Sequence, residues 1–176
     1  MKRILLAVDG SDHSQRATEL ATDIATKYDA KLLLLNVVDN RPLSEAERKL
    51  AELEFSSELK QRTDGSNWPD INLVGDQGVG SMFQHHAEIS RIIRTTIGEG
   101  ILAAAKREAE ANGVDDIELI LENGDPADVI LQTAQARGAN LVVIGSRGQS
   151  DVKSLFLGSV SHKVANQSDI SVITVK

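Results

Sequence analysis

The segment Ala139–Ser161, ANLVVIGSRGQSDVKSLFLGSVS, decides how the rest of the chain is read. Leu141-Val142-Val143-Ile144 is a run of mostly β-branched apolar residues, too short for a helix, and reads as a strand buried on both faces. It stops at Gly145; Gly148 follows, then nine residues, then Gly158-Ser159. Glycines after a parallel strand let the backbone turn tightly and approach an anion closely. Val160 to Val164 can begin a helix whose first N–H groups point back at that turn. A strand, a glycine turn and a helix start together form a phosphate cradle. A plainer reading stays open on these residues alone, in which Gly145 closes a strand and Gly148 fills a turn. The second glycine, followed by a hydroxyl at a helix start, favours the cradle.

The rest of the chain supplies the strands such a turn needs. Lys2–Val8 (KRILLAV) is an apolar run stopped by Asp9-Gly10 and reads as the first strand. Ser11 or Asp12 then caps a helix to about Tyr28, with Ala17, Leu20, Ala21, Ile24 and Ala25 as its apolar stripe. Lys31–Val38 is the second strand, so the chain begins β-α-β with spacing suited to a right-handed parallel crossover. Residues 42–62 carry apolar side chains at alternating steps of three and four and predict a second helix. From Asp64 to Ser81 the pattern breaks into a glycine-rich loop, longer than usual connections. A third helix is expected from about Met82 or His85 to Asn112, with Ile89, Ile93, Ile97, Ile101 and Ala105 on one face. Asp116–Leu121 is the third strand. Asp125 then caps a helix with Pro126 in its first position, ending at Arg137-Gly138. Ile170–Val175 (ISVITV) is a last strand. Strands alternating with helices predict an open α/β sheet covered on both faces. Residues 1–176 form a single domain in this reading, with a long helical and loop insertion around 41–96.

Composition narrows the function classes. Apolar residues make up 41% and charged residues 26%, as in ordinary globular domains, while aromatics are 3%, so the core rests on Leu, Ile, Val and Ala. A formal charge of −7 disfavours nucleic acid, which calls for a basic face. No apolar run approaches the ~20 residues of a membrane span. Met1-Lys2-Arg3 leads straight into a strand without a cleavage site, and there is no cysteine, so a cytoplasmic protein without disulfides or thiolate chemistry is expected. The chain has no Gly-x-x-x-x-Gly-Lys-Ser/Thr loop and no Gly-x-Ser-x-Gly elbow. Gly78-Val79-Gly80 lacks the third glycine of a dinucleotide fingerprint. His85 and His86, adjacent on a helix and about 100° apart, make a poor metal pair.

Gly145-x-x-Gly148, nine residues, then Gly158-Ser159 resembles the nucleotide signature of the ATP-binding universal stress proteins. The opening ILLAVDGSDHS and the block GDPADVILQTAQARGANLVVIGSRG are similar to that family as well. The likeness covers roughly residues 1–40 and 97–176. It implies a Rossmann-like five-stranded parallel sheet of order 3-2-1-4-5, which makes strands one and four neighbours at the point where the winding reverses. Asp9 and Gly145 would then lie side by side. An adenine would rest against Val37, with Ala7, Val8 and Asp9 on the other wall. The phosphates would cross Gly145, Arg147 and Gly148 to reach Gly158, Ser159, Val160 and Ser161. Lys163 is a weaker basic candidate. Each has a structural alternative: Asp9 as a strand terminator or a cap of the helix that starts at Ser11, Val37 as core, Ser159 and Ser161 as helix caps, Arg147 and Lys163 as solvated cations.

The resemblance implies a nucleotide-dependent regulatory switch holding ATP, with Mg²⁺ or Mn²⁺ as a companion of the phosphates; in a second, phosphoryl-transfer reading Asp9 and Asp39 would bind that metal. Phosphoryl transfer needs a positioned nucleophile and charge neutralisation. No base or catalytic lysine stands out, so no dedicated catalytic residue is assigned and at most slow ATP hydrolysis is expected. A dimeric scaffold without nucleotide is the third reading, opposed by the intact glycine signature. Family likeness and the apolar last strand predict a homodimer through residues 170–175, since uncovered sheet edges pair with other chains.

Overall fold

A computed structural model describes residues 2–39, 79–148 and 158–176, with isolated positions 49 and 53. The chain divides into two compact units, residues 1–39 with 98–176, and residues 40–97. The helix expected over 42–62 and the loop up to Gly78 lie outside the described residues, apart from those two positions.

In the first unit β1 (Arg3–Ala7), α1 (Asp12–Tyr28) and β2 (Lys31–Val38) follow in the expected order. Next come α2 (Val79–Ala111), of which residues from Gly98 belong to this unit, and β3 (Ile117–Asn123). Then α3 (Pro126–Ala136), β4 (Leu141–Gly145), α4 (Ser159–Gln167) and β5 (Ser171–Val175) complete it. The sheet has the order β3-β2-β1-β4-β5 with every pair parallel, so β1 and β4 are neighbours at the winding reversal.

Alternation of side chains sorts the core into two layers. Ile4, Leu6, Leu32, Leu34, Leu141 and Val143 face α1 and the C-terminal part of α2, where Ala17, Ala21, Leu102 and Ala109 meet them. Leu5, Leu33, Leu35, Val142 and Ile144 face α3 and α4, meeting Ala127, Ile130, Ala134 and Val164. The small residues on the helices let their backbones lie close to a sheet faced with leucine and valine. Burial on both sides explains why the central strands read as unbroken apolar runs.

The caps follow from local chemistry. Ser11 Oγ accepts from Ser14 N–H at 3.2 Å and starts α1, which settles the choice between Ser11 and Asp12. Asp125 Oδ1 accepts from Asp128 N–H at 3.1 Å with Pro126 in the first turn of α3. Several boundaries move by one residue from expectation, with β1 trimmed to Arg3–Ala7, β4 taking in Gly145 and β5 beginning at Ser171, while β3 and the start of α2 differ more. β3 begins one residue later and runs to Asn123, because the eight-residue β2 pairs with it as far as Val38↔Asn123. Its last residues, Glu122 and Asn123, are exposed and carry no apolar signal. α2 begins at Val79 instead of Met82 or His85. Gly80 costs only about 1 kcal/mol of helix propensity, and extending an existing helix is cheap compared with starting one. In the second unit, the described part of this helix has Ile93, Thr96 and Ile97 buried, and Thr96 Oγ1 donates to Ile92 O at 3.0 Å.

Candidate functional site

The carboxyl ends of β1 and β4 meet in a knot of main chain and short polar side chains. Asp9 stands just past β1. Its Oδ1 accepts from Ser11 N–H at 3.0 Å and from Ser11 Oγ at 2.7 Å, while its own N–H donates to Ser14 Oγ at 3.1 Å. Asp9 is thus an organiser of the α1 start, the structural role open to it, and is still half exposed beside the glycine turn. A Cβ on Gly148 would lie 2.7 Å from Asp9 Oδ2. A Cβ on Gly145 would lie 2.9 Å from the backbone of His13 and Ser14. Gly145 therefore packs on the first turn of α1, and it is Gly148 that faces the Asp9 carboxylate. Gly145 has room only for hydrogen, whereas a side chain at Gly148 would have to displace the Asp9 carboxylate.

Beyond β4 the chain is pinned by Ser146, which is 3% exposed. Its N–H donates to Val175 O at 2.6 Å, and its carbonyl accepts from Gly158 N–H at 2.7 Å and from Ser161 Oγ at 2.8 Å. Gly158 is the N-cap of α4, with extended backbone and no side-chain cap. The first intrahelical bond runs from His162 N–H to Gly158 O. The N–H groups of Ser159, Val160 and Ser161 thus stand at a helix start that carries a partial positive charge.

The sequence candidates fall into three groups. Asp9, Gly145, Arg147, Gly148 and Gly158 come together around the ends of β1 and β4, with the Arg147 carbonyl accepting from Ser11 Oγ at 3.3 Å. Ser159 is exposed and Val160 half-buried at the α4 start, whereas Ser161 is 2% exposed and its hydroxyl points inward to Ser146. Of Ser161, the backbone N–H is what faces the helix start. Ala7 and Val37 are half-buried at the ends of β1 and β2, and Val8 is buried between those strands, its N–H donating to Leu35 O at 2.9 Å.

Lys163 lies elsewhere in its chemistry: Nζ sits 2.7 Å from Asp128 and 3.2 Å from Asp125, tying α4 to the start of α3. Its pKa is raised by the hydrogen bond to Asp128 and then by the one to Asp125. Among the described residues, no group of three or more metal-ligating side chains converges. A shallow cavity of about 1010 Å³ lies at the other, amino ends of the strands, between Lys2, Arg3, Lys31 and Asp116. Its cation Lys31 pairs with Asp116 and Glu118 at 3.5 and 3.0 Å, a surface ion-pair cluster on the side of the sheet where ligands seldom bind.

Residue-by-residue reading passed over Ser14, Ser146 and Asn36. The first two have no motif of their own; they are short hydroxyl residues recruited as hydrogen-bonding partners by the turn. Asn36 did leave a signal, as a polar side chain inside the apolar run KLLLLNVV. No helix among the described residues is long and apolar enough to cross a membrane.

An open parallel sheet with helices on both faces, and a main-chain turn opposed to an uncapped helix at its switch point, defines a doubly wound α/β protein. The whole chain, residues 1–176, matches the profile of the universal stress protein family. It is 32% identical over 174 residues to the universal stress protein YxiE of Bacillus subtilis, covering 99% of this chain and 98% of that one. The structure of the hypothetical protein MJ0577 is similar with a TM-score of 0.60 and 25% identity, covering 99% and 95% of the two chains. A universal stress protein solved in complex with cAMP is similar in fold, with a TM-score of 0.59, 24% identity and the same coverage. The chain belongs to the universal stress protein family.

Proposed function

We propose that this universal stress protein binds ATP at the carboxyl ends of β1 and β4 and acts as a nucleotide-dependent regulatory switch in stress response. The observation that carries the reading is the start of α4: a helix without a side-chain cap, clamped through Gly158 and Ser161 to Ser146, directly beyond the glycine turn. Three main-chain N–H groups and the helix dipole then meet an incoming phosphate without a lysine. Gly148 leaves the backbone bare where the phosphates pass, while Gly145 seats the turn against α1 and Arg147 lies between them. The purine rests against Val37, with Ala7, Val8 and Asp9 opposite. A family member in complex with cAMP supports a nucleotide as the ligand class. Mg²⁺ or Mn²⁺ would travel with the phosphates, with Asp9 and Asp39 as the nearby carboxylates.

The switch works through order: a ligand bridging the turn and α4 tightens segments that Ser146 already ties together, and so changes the surface offered to a regulated protein. The second copy of the chain docks along β5, an edge strand whose Val172, Ile173 and Val175 are only half-buried. The test is calorimetry with ATP, ADP and AMP, with and without Mg²⁺, followed by an overnight turnover assay. Binding without turnover is expected. Turnover that disappears in an Asp9→Ala variant still able to bind ATP would replace the switch with an enzyme. No binding after removal of co-purified ligand would refute the nucleotide reading.

A further inference from the structure

Asn36 interrupts the apolar run of β2 and is 7% exposed, so its amide must find partners inside the protein. Nδ2 donates to Val8 O at 2.7 Å. Val8 is the first residue past β1, and its N–H is already tied to Leu35 O at 2.9 Å. Both polar groups of Val8 are therefore held by β2, one by the ladder and one by a side chain. The next N–H, that of Asp9, donates to Ser14 Oγ. The path of the chain from β1 into the turn is fixed bond by bond, and Asn36 supplies the step the sheet itself does not.

The amide is also boxed in. Gly98 of α2 lies against it so closely that an added Cβ would overlap Asn36 Oδ1 and stand 2.9 Å from Leu121 Cδ1. This explains a glycine in the middle of a helix, where it costs about 1 kcal/mol. The neighbour of Asn36 along β2 is Val37, which packs with the opposite face of the sheet from Val8.

We infer that Asn36 is a positioning residue for the nucleotide site: through Val8 it sets the spacing between the Val8–Asp9 wall and Val37, the slot that holds the purine. The inference rests on the nucleotide reading above and deepens it by dividing the site into two parts. Asn36 governs the purine slot, while the phosphates answer to the α4 start.

The experiment measures AMP, ATP and inorganic tripolyphosphate affinities for the wild-type chain, Asn36→Asp and Asn36→Ala, beside their urea unfolding curves. Asn36→Asp keeps the size and removes the donor; Asn36→Ala removes the side chain without adding a charge. The expected result is a loss of about tenfold for AMP and for ATP alike, with tripolyphosphate affinity unchanged. A merely structural role would lower all three together, and that pattern overturns the inference. So does wild-type nucleotide affinity in either folded variant, or failure of both variants to unfold cooperatively. A wild-type chain that binds neither AMP nor ATP would remove the nucleotide reading and this inference with it; wild-type binding with indifferent variants removes the inference alone.

Discussion

Gly148→Ala is a single-methyl test of the glycine turn. The new Cβ would stand 2.7 Å from Asp9 Oδ2, several tenths of an ångström inside normal contact. The carboxylate is not free to swing away, because its Oδ1 is held by Ser11 N–H and Ser11 Oγ at 3.0 and 2.7 Å. Either those bonds stretch or the backbone of 146–148 moves outward, and overpacking of this kind costs about 1–3 kcal/mol. Arg147 and Gly148 are only half-buried, unlike Gly145 and Ser146 before them, so displacement at Gly148 falls mainly on the binding geometry. Converted at 1.4 kcal/mol per decade, ATP affinity should drop about 5- to 150-fold. Calorimetry on wild type and variant reads this, with thermal melting showing that the fold survives. An Asp9→Ala background removes the atom that is struck, so adding Gly148→Ala there should change affinity much less, a non-additivity expected only for groups in contact. A folded Gly148→Ala protein that binds ATP as tightly as wild type would refute the placement of the phosphates over this turn.

Three further outcomes are expected. Asp125→Ala removes the cap of α3 and should cost about 1 kcal/mol, read as a drop in melting temperature of ~2–4 °C. The Asp125 pKa is lowered first by the Asp128 N–H and then by Lys163, so its contribution is present above the ordinary aspartate pKa and is lost as pH falls through the lower folded value. The gap between wild type and Asp125→Ala should therefore close in melts below about pH 4. Glu108 is shifted the other way, raised by burial and then by the charge of Glu19, so its ionised form weakens the fold and protonation strengthens it. Glu108→Gln should stabilise by on the order of 0.3 kcal/mol at pH 7, an advantage that fades on acidification in denaturant titrations; destabilisation at pH 7 would contradict the assignment. For the dimer, Val175 O meets Ser146 N–H, so alternation turns the N–H groups of Val172 and Thr174 outward and that of Ile173 toward β4. Val172→Pro should yield folded monomers in sedimentation, whereas Ile173→Pro attacks the sheet itself. A Val172→Pro dimer of undiminished affinity would place the contact elsewhere.

The fold was legible because its central strands are buried on both faces: ILLA, KLLLLNVV and LVVIG stand out from charged helices without any periodicity analysis. What blurred was the rim. Glu122 and Asn123 extend β3 by pairing with the end of β2, a partner many residues away that no local pattern reveals. The site divided along the same line. Gly145, Gly148 and Gly158 announce themselves by their set spacing, and at Gly145 and Gly148 close neighbours crowd the place of a side chain. The inward turn of the Ser161 hydroxyl and the capture of Lys163 by two aspartates of α3 depend on tertiary neighbours. Asn36 was visible as an anomaly, a polar letter in an apolar strand, yet its partner Val8 O becomes apparent only once β1 and β2 are aligned.

The peptide of Ser146 has one hand on the outermost strand and the other on the last helix. Whatever tugs at the glycine turn is therefore felt at Val175, on the edge strand of the sheet. In the proposed ATP-binding dimer, cargo and companion would be coupled through this shared joint, and thermodynamic reciprocity would then require each to alter the hold on the other by the same factor. Self-association measured with and without ATP would register that exchange, and identical dimer constants would show the joint to be rigid but mute.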